Sequence, residues 1–201
     1  MWLSILMVPA RAQKPPTTSH PRVHGITVEQ FSSLAAHCVP DAPLSTLSAI
    51  ARAESDFYPL AVSINYPEHS AARRGFKHSR IVLHRQPASV QEALQWIAWL
   101  ERNGYTVSVG LMQVSLESAT FYGIDRGELL DPCMNLRIGW GIFLSKYEQA
   151  VEQKGNSQEA LKYALSLYNS GSPSIGFNNG YVSRVTGEAF RSKQTSERPE
   201  K

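Results

Sequence analysis

Asp131-Pro132 followed by apolar residues at Leu136, Trp140, Phe143, Leu144, Tyr147 and Val151 commits the chain to one long helix. Aspartate is a good cap, proline suits the first helical turn, and the stripe repeats at helical spacing. A stripe of that length must be buried, so other helices have to pack against it. The sequence supplies them. Thr27 with Gln30 forms a capping box for a helix running to about Cys38. A second helix follows Pro43 and carries Leu47, Ile50, Ala51 and Glu54. Ser89 with Glu92 opens Val90–Arg102, which stops at Asn103-Gly104. Gly110–Tyr122 reads as a further helix ended by Gly123. Asn156 with Glu159 caps another, with Leu161, Ala164, Leu165 and Tyr168 on its apolar face and a stop near Gly171. Only residues 62–88 lack a helical period, with Ser63–Tyr66 and Ile81–His84 readable as short strands. The expectation is a mainly α domain with room for one small β-hairpin around residues 62–88.

With 201 residues and 42% hydrophobic content, the chain can bury one good core, placed at residues 27–190. Trp2–Val8 is a short apolar run, and Ala10-Arg11-Ala12 after it has the form of an export-signal cleavage site. Residues 1–12 therefore read as a signal peptide, 13–26 as a proline-bearing linker and 191–201 as a polar tail. The apolar run is far short of the roughly 20 residues a membrane span requires, so no integral span is expected in the mature form. A net charge of +3 does not argue for nucleic acid. The basic run Arg73, Arg74, Lys77, His78, Arg80 and Arg85 reads first as a solvated loop and second as a contact for an anionic polymer or surface. The six histidines show no metal-ligand spacing, so neither a metal nor another cofactor is expected. Cys38 and Cys133 are the two cysteines, and in an exported chain they are expected to pair as a disulfide. Two independent buried thiols are the other reading.

Glu54 stands out. It continues the stripe of Leu47, Ile50 and Ala51, a face that should point into the core. A carboxylate there is expensive unless it is protonated, partnered or used for chemistry. The plain alternative is a helix ending just past it, with the side chain in solvent, and Pro59 is consistent with a nearby end.

The ordered stretches Glu54-Ser55, Gly110-Leu111-Met112-Gln113 and Tyr168-Asn169 resemble the lytic transglycosylases of the goose-type-lysozyme-like group. Asp131-Pro132-Cys133 with Asn135-Leu136, and the late Gly176-Phe177 and Asn179-Gly180-Tyr181-Val182, are similar to the VirB-type members that accompany type IV secretion and conjugation machinery. The resemblance covers roughly residues 35–187. It departs from the common pattern at Val114-Ser115, where many relatives have Ile-Asn. Val62–Val109 also replaces a short link, so one wall of the cleft should differ.

The resemblance implies a lysozyme-like fold, a periplasmic location, and cleavage of the bond between N-acetylmuramic acid and N-acetylglucosamine with a 1,6-anhydro product. Peptidoglycan strands and components of a secretion or conjugation apparatus would be the partners. Such cleavage needs an acid that still holds its proton near neutral pH, and an apolar surround favours the protonated carboxyl. Glu54 takes that role. A hydrolase would add a second carboxylate, for which Asp56, Asp125, Asp131 and Glu117 are the candidates. Ser55 is expected to orient the glutamate or a sugar hydroxyl, Gln113 to meet an acetamido group, and Met112 to pack on a sugar ring. Tyr168 should reach the catalytic carboxylate, and Asn169 should hold substrate or neighbouring backbone. Taken one at a time, Met112 and Tyr168 read as core. Two other classes stay open: a non-catalytic wall-binding or scaffold module, and a lysozyme-type muramidase that uses water.

Overall fold

The computed structural model describes residues 25–65 and 81–187. The signal peptide, nearly all of the linker, the polar tail and all of the basic run except Arg85 lie outside the described residues.

The caps form as local chemistry dictates. In α1 (Val28–Cys38) Thr27 and Gln30 make both bonds of the capping box. The α2 helix (Leu44–Ser55) buries Leu47, Ala49, Ile50 and Ala51. The α3 helix (Val90–Arg102) starts at Ser89, whose hydroxyl accepts from the Glu92 N–H. The Glu92 carboxylate reaches one residue beyond a capping box, to the Ala88 N–H at 2.7 Å. Asp131 accepts from the Met134 N–H to open α6 (Pro132–Lys154), the longest helix described. Its closest partner is α7 (Gln158–Ser170), ended by Gly171 in the left-handed conformation. The α7 cap is Ser157, not Asn156: the Ser157 hydroxyl accepts from the Ala160 N–H, while Asn156 Oδ1 accepts from the Tyr147 hydroxyl. Among the described residues no helix is long and apolar enough to cross a membrane.

The sheet is larger than a hairpin. Strands β1 (Val62–Asn65), β2 (Ile81–Val82), β3 (Thr106–Val109) and β4 (Val114–Ser115) form an antiparallel sheet in the order β2-β1-β3-β4. Val62 pairs with Val109, and Val109 in turn with Val114. The helix expected over Gly110–Tyr122 is therefore replaced by β4 and a short α4 (Leu116–Phe121). Gly110-Leu111-Met112-Gln113 is the hairpin loop between β3 and β4. Met112, Val114 and Leu116 alternate with the period of a strand, and the backbone geometry agrees. Gly110 has φ +81° and Gln113 has φ 47°, both left-handed, which breaks any helix at those points. The mainly α expectation holds, with the sheet extended by two strands. A small α5 (Arg126–Leu129), capped by Asp125, and α8 (Ile175–Asn178) complete the connections, and a last helix covers 181–187.

Two devices hold the loop. Asn135 on α6 is fully buried: its Oδ1 accepts from the Met112 N–H at 2.8 Å, and its Nδ2 donates to the Val109 and Leu129 carbonyls. Gly139, one turn on, lets the helix approach so closely that a Cβ there would lie 2.3 Å from the Met112 Cβ. Replacing Asn135 with leucine would leave one buried donor and two carbonyls without that partner. We expect Asn135→Leu to lower unfolding free energy by about 2–4 kcal/mol, measured by urea denaturation.

Cys38 and Cys133 form a disulfide, as expected, joining the last turn of α1 to the first turn of α6 across a sequence separation of 95. Arg137 reinforces the junction by donating from Nε to the Cys38 carbonyl at 3.1 Å.

Candidate active site

Glu54 lies half-buried at the end of α2, and the chain breaks the helix immediately after it. Asp56 and Phe57 have φ of 50° and 59°, left-handed values that cost a bulky side chain on the order of 1–3 kcal/mol. Packing offsets this. The Phe57 ring is buried with its centroid 4.6 Å from that of Phe31, the Arg52 guanidinium lies 4.7 Å above it, and the Phe57 carbonyl accepts from the Ile26 N–H at 3.0 Å. Glu54-Ser55 thus sits at a rigid helix tip.

The hydroxyl bound to the carboxyl belongs to Tyr181. This side chain is fully buried and donates to Glu54 Oε1 at 2.7 Å. One oxygen of the carboxyl is thus held by a buried neutral donor. Sequence reasoning assigned this hydroxyl to Tyr168. The Tyr168 hydroxyl donates to the Met112 carbonyl at 2.7 Å, and its ring stands edge-on to Phe143. The available signal was the late Asn179-Gly180-Tyr181-Val182 block.

The other predicted residues form the support under Glu54. The Ser55 hydroxyl lies 2.9 Å from the Leu111 carbonyl and 3.0 Å from that of Ala51, tying the helix tip to the hairpin loop. Met112 is fully enclosed, so its side chain is core and its backbone links Asn135 to Tyr168. Gln113 is also buried, and both ends of its amide are used. Oε1 accepts from the Ser63 hydroxyl at 2.6 Å, and Nε2 donates to the Ala61 and Gly110 carbonyls. Asn135, read from the sequence only as part of the Asp131–Leu136 block, and Ser63 are thus structural supports to which sequence reasoning gave no role. Asn169 is half-buried, and its Oδ1 accepts from Asn179 Nδ2 at 2.8 Å.

The candidate second carboxylates have other posts. The Asp56 side chain is 85% exposed and lies 3.6 Å from Arg52. Asp125 accepts from the Gly127 and Glu128 N–H groups, Asp131 caps α6, and Glu117 is exposed on α4. Among the described residues no three His, Cys, Asp or Glu side chains converge as a metal site requires.

A family model described as "Transglycosylase SLT domain" matches residues 32–190. The type IV secretion system protein virB1 of Brucella abortus (strain 2308) is 33% identical over 165 residues, covering 79% of this chain and 63% of the relative. Protein virB1 of Agrobacterium fabrum is 31% identical over 160 residues, covering 80% of this chain and 59% of the relative. The chain therefore spans less than two thirds of the length of these relatives. No solved structure matches it. The SLT domain is lysozyme-like, in keeping with the helices and small antiparallel sheet described above. On the extent of the matched model, the order of its motifs and this fold, the chain belongs to the transglycosylase SLT domain family.

Proposed function

We propose that this chain is a peptidoglycan lytic transglycosylase acting in the periplasm, opening the wall locally for a type IV secretion or conjugation apparatus. The observation that carries the reading is Glu54 itself: a half-buried carboxyl at a braced helix tip, with one oxygen held by Tyr181 and the usual second carboxylates engaged elsewhere.

In this reading Glu54 Oε2 gives its proton to the bridging oxygen as the bond from muramic acid C1 breaks. The substrate's own acetamido oxygen supports the positive C1. The resulting carboxylate then takes the proton of the sugar's 6-hydroxyl, whose oxygen bonds to C1 and closes a 1,6-anhydro ring. Glu54 ends protonated, as it began, and no water is consumed. An intramolecular hydroxyl has an effective concentration far above that of a free reactant, so no carboxylate is needed to activate water. Tyr181 donates throughout and keeps Oε2 aimed at the reacting oxygens. Asn169 accepts with Oδ1 from Asn179 and so ties the end of α7 to the start of the last helix. Ser55, Met112, Gln113 and Tyr168 act by fixing the floor beneath the sugars rather than by reaching them.

Product mass is the test. Purified peptidoglycan digested with this protein should release muropeptides one water lighter than lysozyme products and lacking a reducing end. Predominantly reducing products would move the assignment to a muramidase. Binding without any release would favour a scaffold.

A further inference from the structure

The sequence 177–184 places a second polar arrangement behind the one that holds Glu54. Asn179 is the hub. Its Oδ1 accepts from the Tyr181 N–H at 2.9 Å, its carbonyl accepts from the Arg184 guanidinium at 3.2 Å, and its Nδ2 donates to Asn169 Oδ1 at 2.8 Å. Which end of each amide faces which partner follows from chemistry. A backbone N–H requires an acceptor, so Oδ1 of Asn179 must face Tyr181, its NH2 must face Asn169, and Asn169 must present its oxygen. Gly180, with φ +76°, provides the tight connection that brings the amide back over the start of the 181–187 helix. Arg184 returns along the same turn, with its guanidinium 5.9 Å from the centre of the Tyr181 ring.

These contacts join two stretches remote in sequence. Asn169 stands at the end of α7 beside Tyr168, which holds the hairpin loop through Met112. Tyr181 holds Glu54. Without the Asn179–Asn169 bond, the first turn of the last helix keeps its cap but loses its direct bond to α7, leaving the tie from the Gly176 N–H to the Ser166 hydroxyl at 2.9 Å, five residues earlier.

We infer that Asn179 is a positioning residue for the acid: by clamping the start of the 181–187 helix to Asn169, it fixes the Tyr181 hydroxyl and through it the direction of Glu54 Oε2. The inference rests on the proposed transglycosylase reading for its effect on rate, but not for its effect on geometry. Asn179 works on the carboxyl at one remove, so a small displacement of the Tyr181 hydroxyl is what its loss produces. Misplacement on the scale of an ångström costs catalysis up to about 100-fold.

The substitutions separate cap from clamp. Asn179→Ser keeps an acceptor for the Tyr181 N–H but is too short to reach Asn169. Asn179→Asp keeps the acceptor, and Asn169 can turn its NH2 toward the new carboxylate, re-forming the bond. On soluble, uncross-linked glycan strands, Asn179→Ser should lower kcat roughly 10- to 100-fold with little change in KM and little change in melting temperature. Asn179→Asp should recover most of that loss. In a Tyr181→Phe background Asn179→Ser should cost nothing further, because the hydroxyl it positions is already gone. A full additional loss in that background, wild-type kcat in Asn179→Ser, or failure of Asp to recover activity would each overturn the inference. A readout that needs no turnover accompanies these: the ¹³C resonance of the Glu54 carboxyl, assigned with Glu54→Gln. It should move in Asn179→Ser toward its position in Tyr181→Phe, and an unmoved resonance overturns the inference. If the wild type cuts nothing, the proposed function fails, and this resonance alone decides on Asn179.

Discussion

Glu54→Gln should fold as the wild type does, bind insoluble peptidoglycan as well, and release essentially no muropeptides. Glutamine preserves the size of the side chain and still offers Oε1 to the Tyr181 hydroxyl, so the 2.7 Å bond and the helix tip survive. What it lacks is a proton that can be given and taken back. Positioned general acid catalysis is worth roughly 10²–10⁴-fold on its own, and in the proposed reaction one carboxyl serves first as acid and then as base. The loss should therefore reach or exceed the upper end of that range. Stability should hold or rise slightly, because an ionisable group leaves a half-buried position. The checks are product release followed by mass spectrometry, co-sedimentation with peptidoglycan, and thermal melting. A folded Glu54→Gln protein that cuts at the wild-type rate would place the catalytic carboxylate elsewhere.

Tyr181 and Glu54 show where sequence reading stops. The helix that carries Glu54 was legible because the flanking Pro43 and Pro59 and the spacing of Leu47, Ile50 and Ala51 act within a few residues. Its hydroxyl partner is 127 positions away, and nothing local connects the two. Tyr168 and Tyr181 carry identical chemistry, and only tertiary packing decides which proton goes to the carboxyl and which to the Met112 carbonyl. The hairpin loop shows a different limit. Val107 and Val109, then Met112, Val114 and Leu116, alternate with the period of a strand, while Leu116 and Ala119 sit three apart as in a helix, so periodicity alone leaves the boundary open. The left-handed angles at Gly110 and Gln113 decide for the hairpin.

Burial was the property least readable at the site. Gln113 has the right groups for an acetamido ligand, but its amide is spent on Ser63, Ala61 and Gly110. Met112 has a side chain suited to a sugar face, but it lies beneath the loop against Gly139. Their spacing therefore reports the architecture that aims Glu54 more than contacts with a sugar. Asn135 is the converse case. A polar residue beside Leu136 on a buried face looks like a defect in the stripe, and it proves to be the staple of the loop.

Removing the disulfide should have the largest effect on stability. The Cys38–Cys133 bond closes a loop of 95 positions, so it takes far more freedom from the unfolded chain than a short clip would. A loop-entropy argument gives roughly 4–5 kcal/mol, a large share of the 5–15 kcal/mol typical of a whole domain. The junction also matters mechanically. It locks α1, whose Phe31 backs the left-handed Phe57 after Glu54, to α6, whose Asn135 and Gly139 seat the hairpin loop. Paired Cys38→Ser and Cys133→Ser substitutions should lower the urea midpoint sharply, and activity should fall at temperatures where the oxidised protein is fully folded. If the protein is exported as proposed, protein recovered unreduced should resist thiol labelling until it is both unfolded and reduced. Quantitative labelling of the folded, unreduced protein would show that the bond does not form. A double serine variant with an unchanged urea midpoint would show that helix packing alone holds the two supports of Glu54 together.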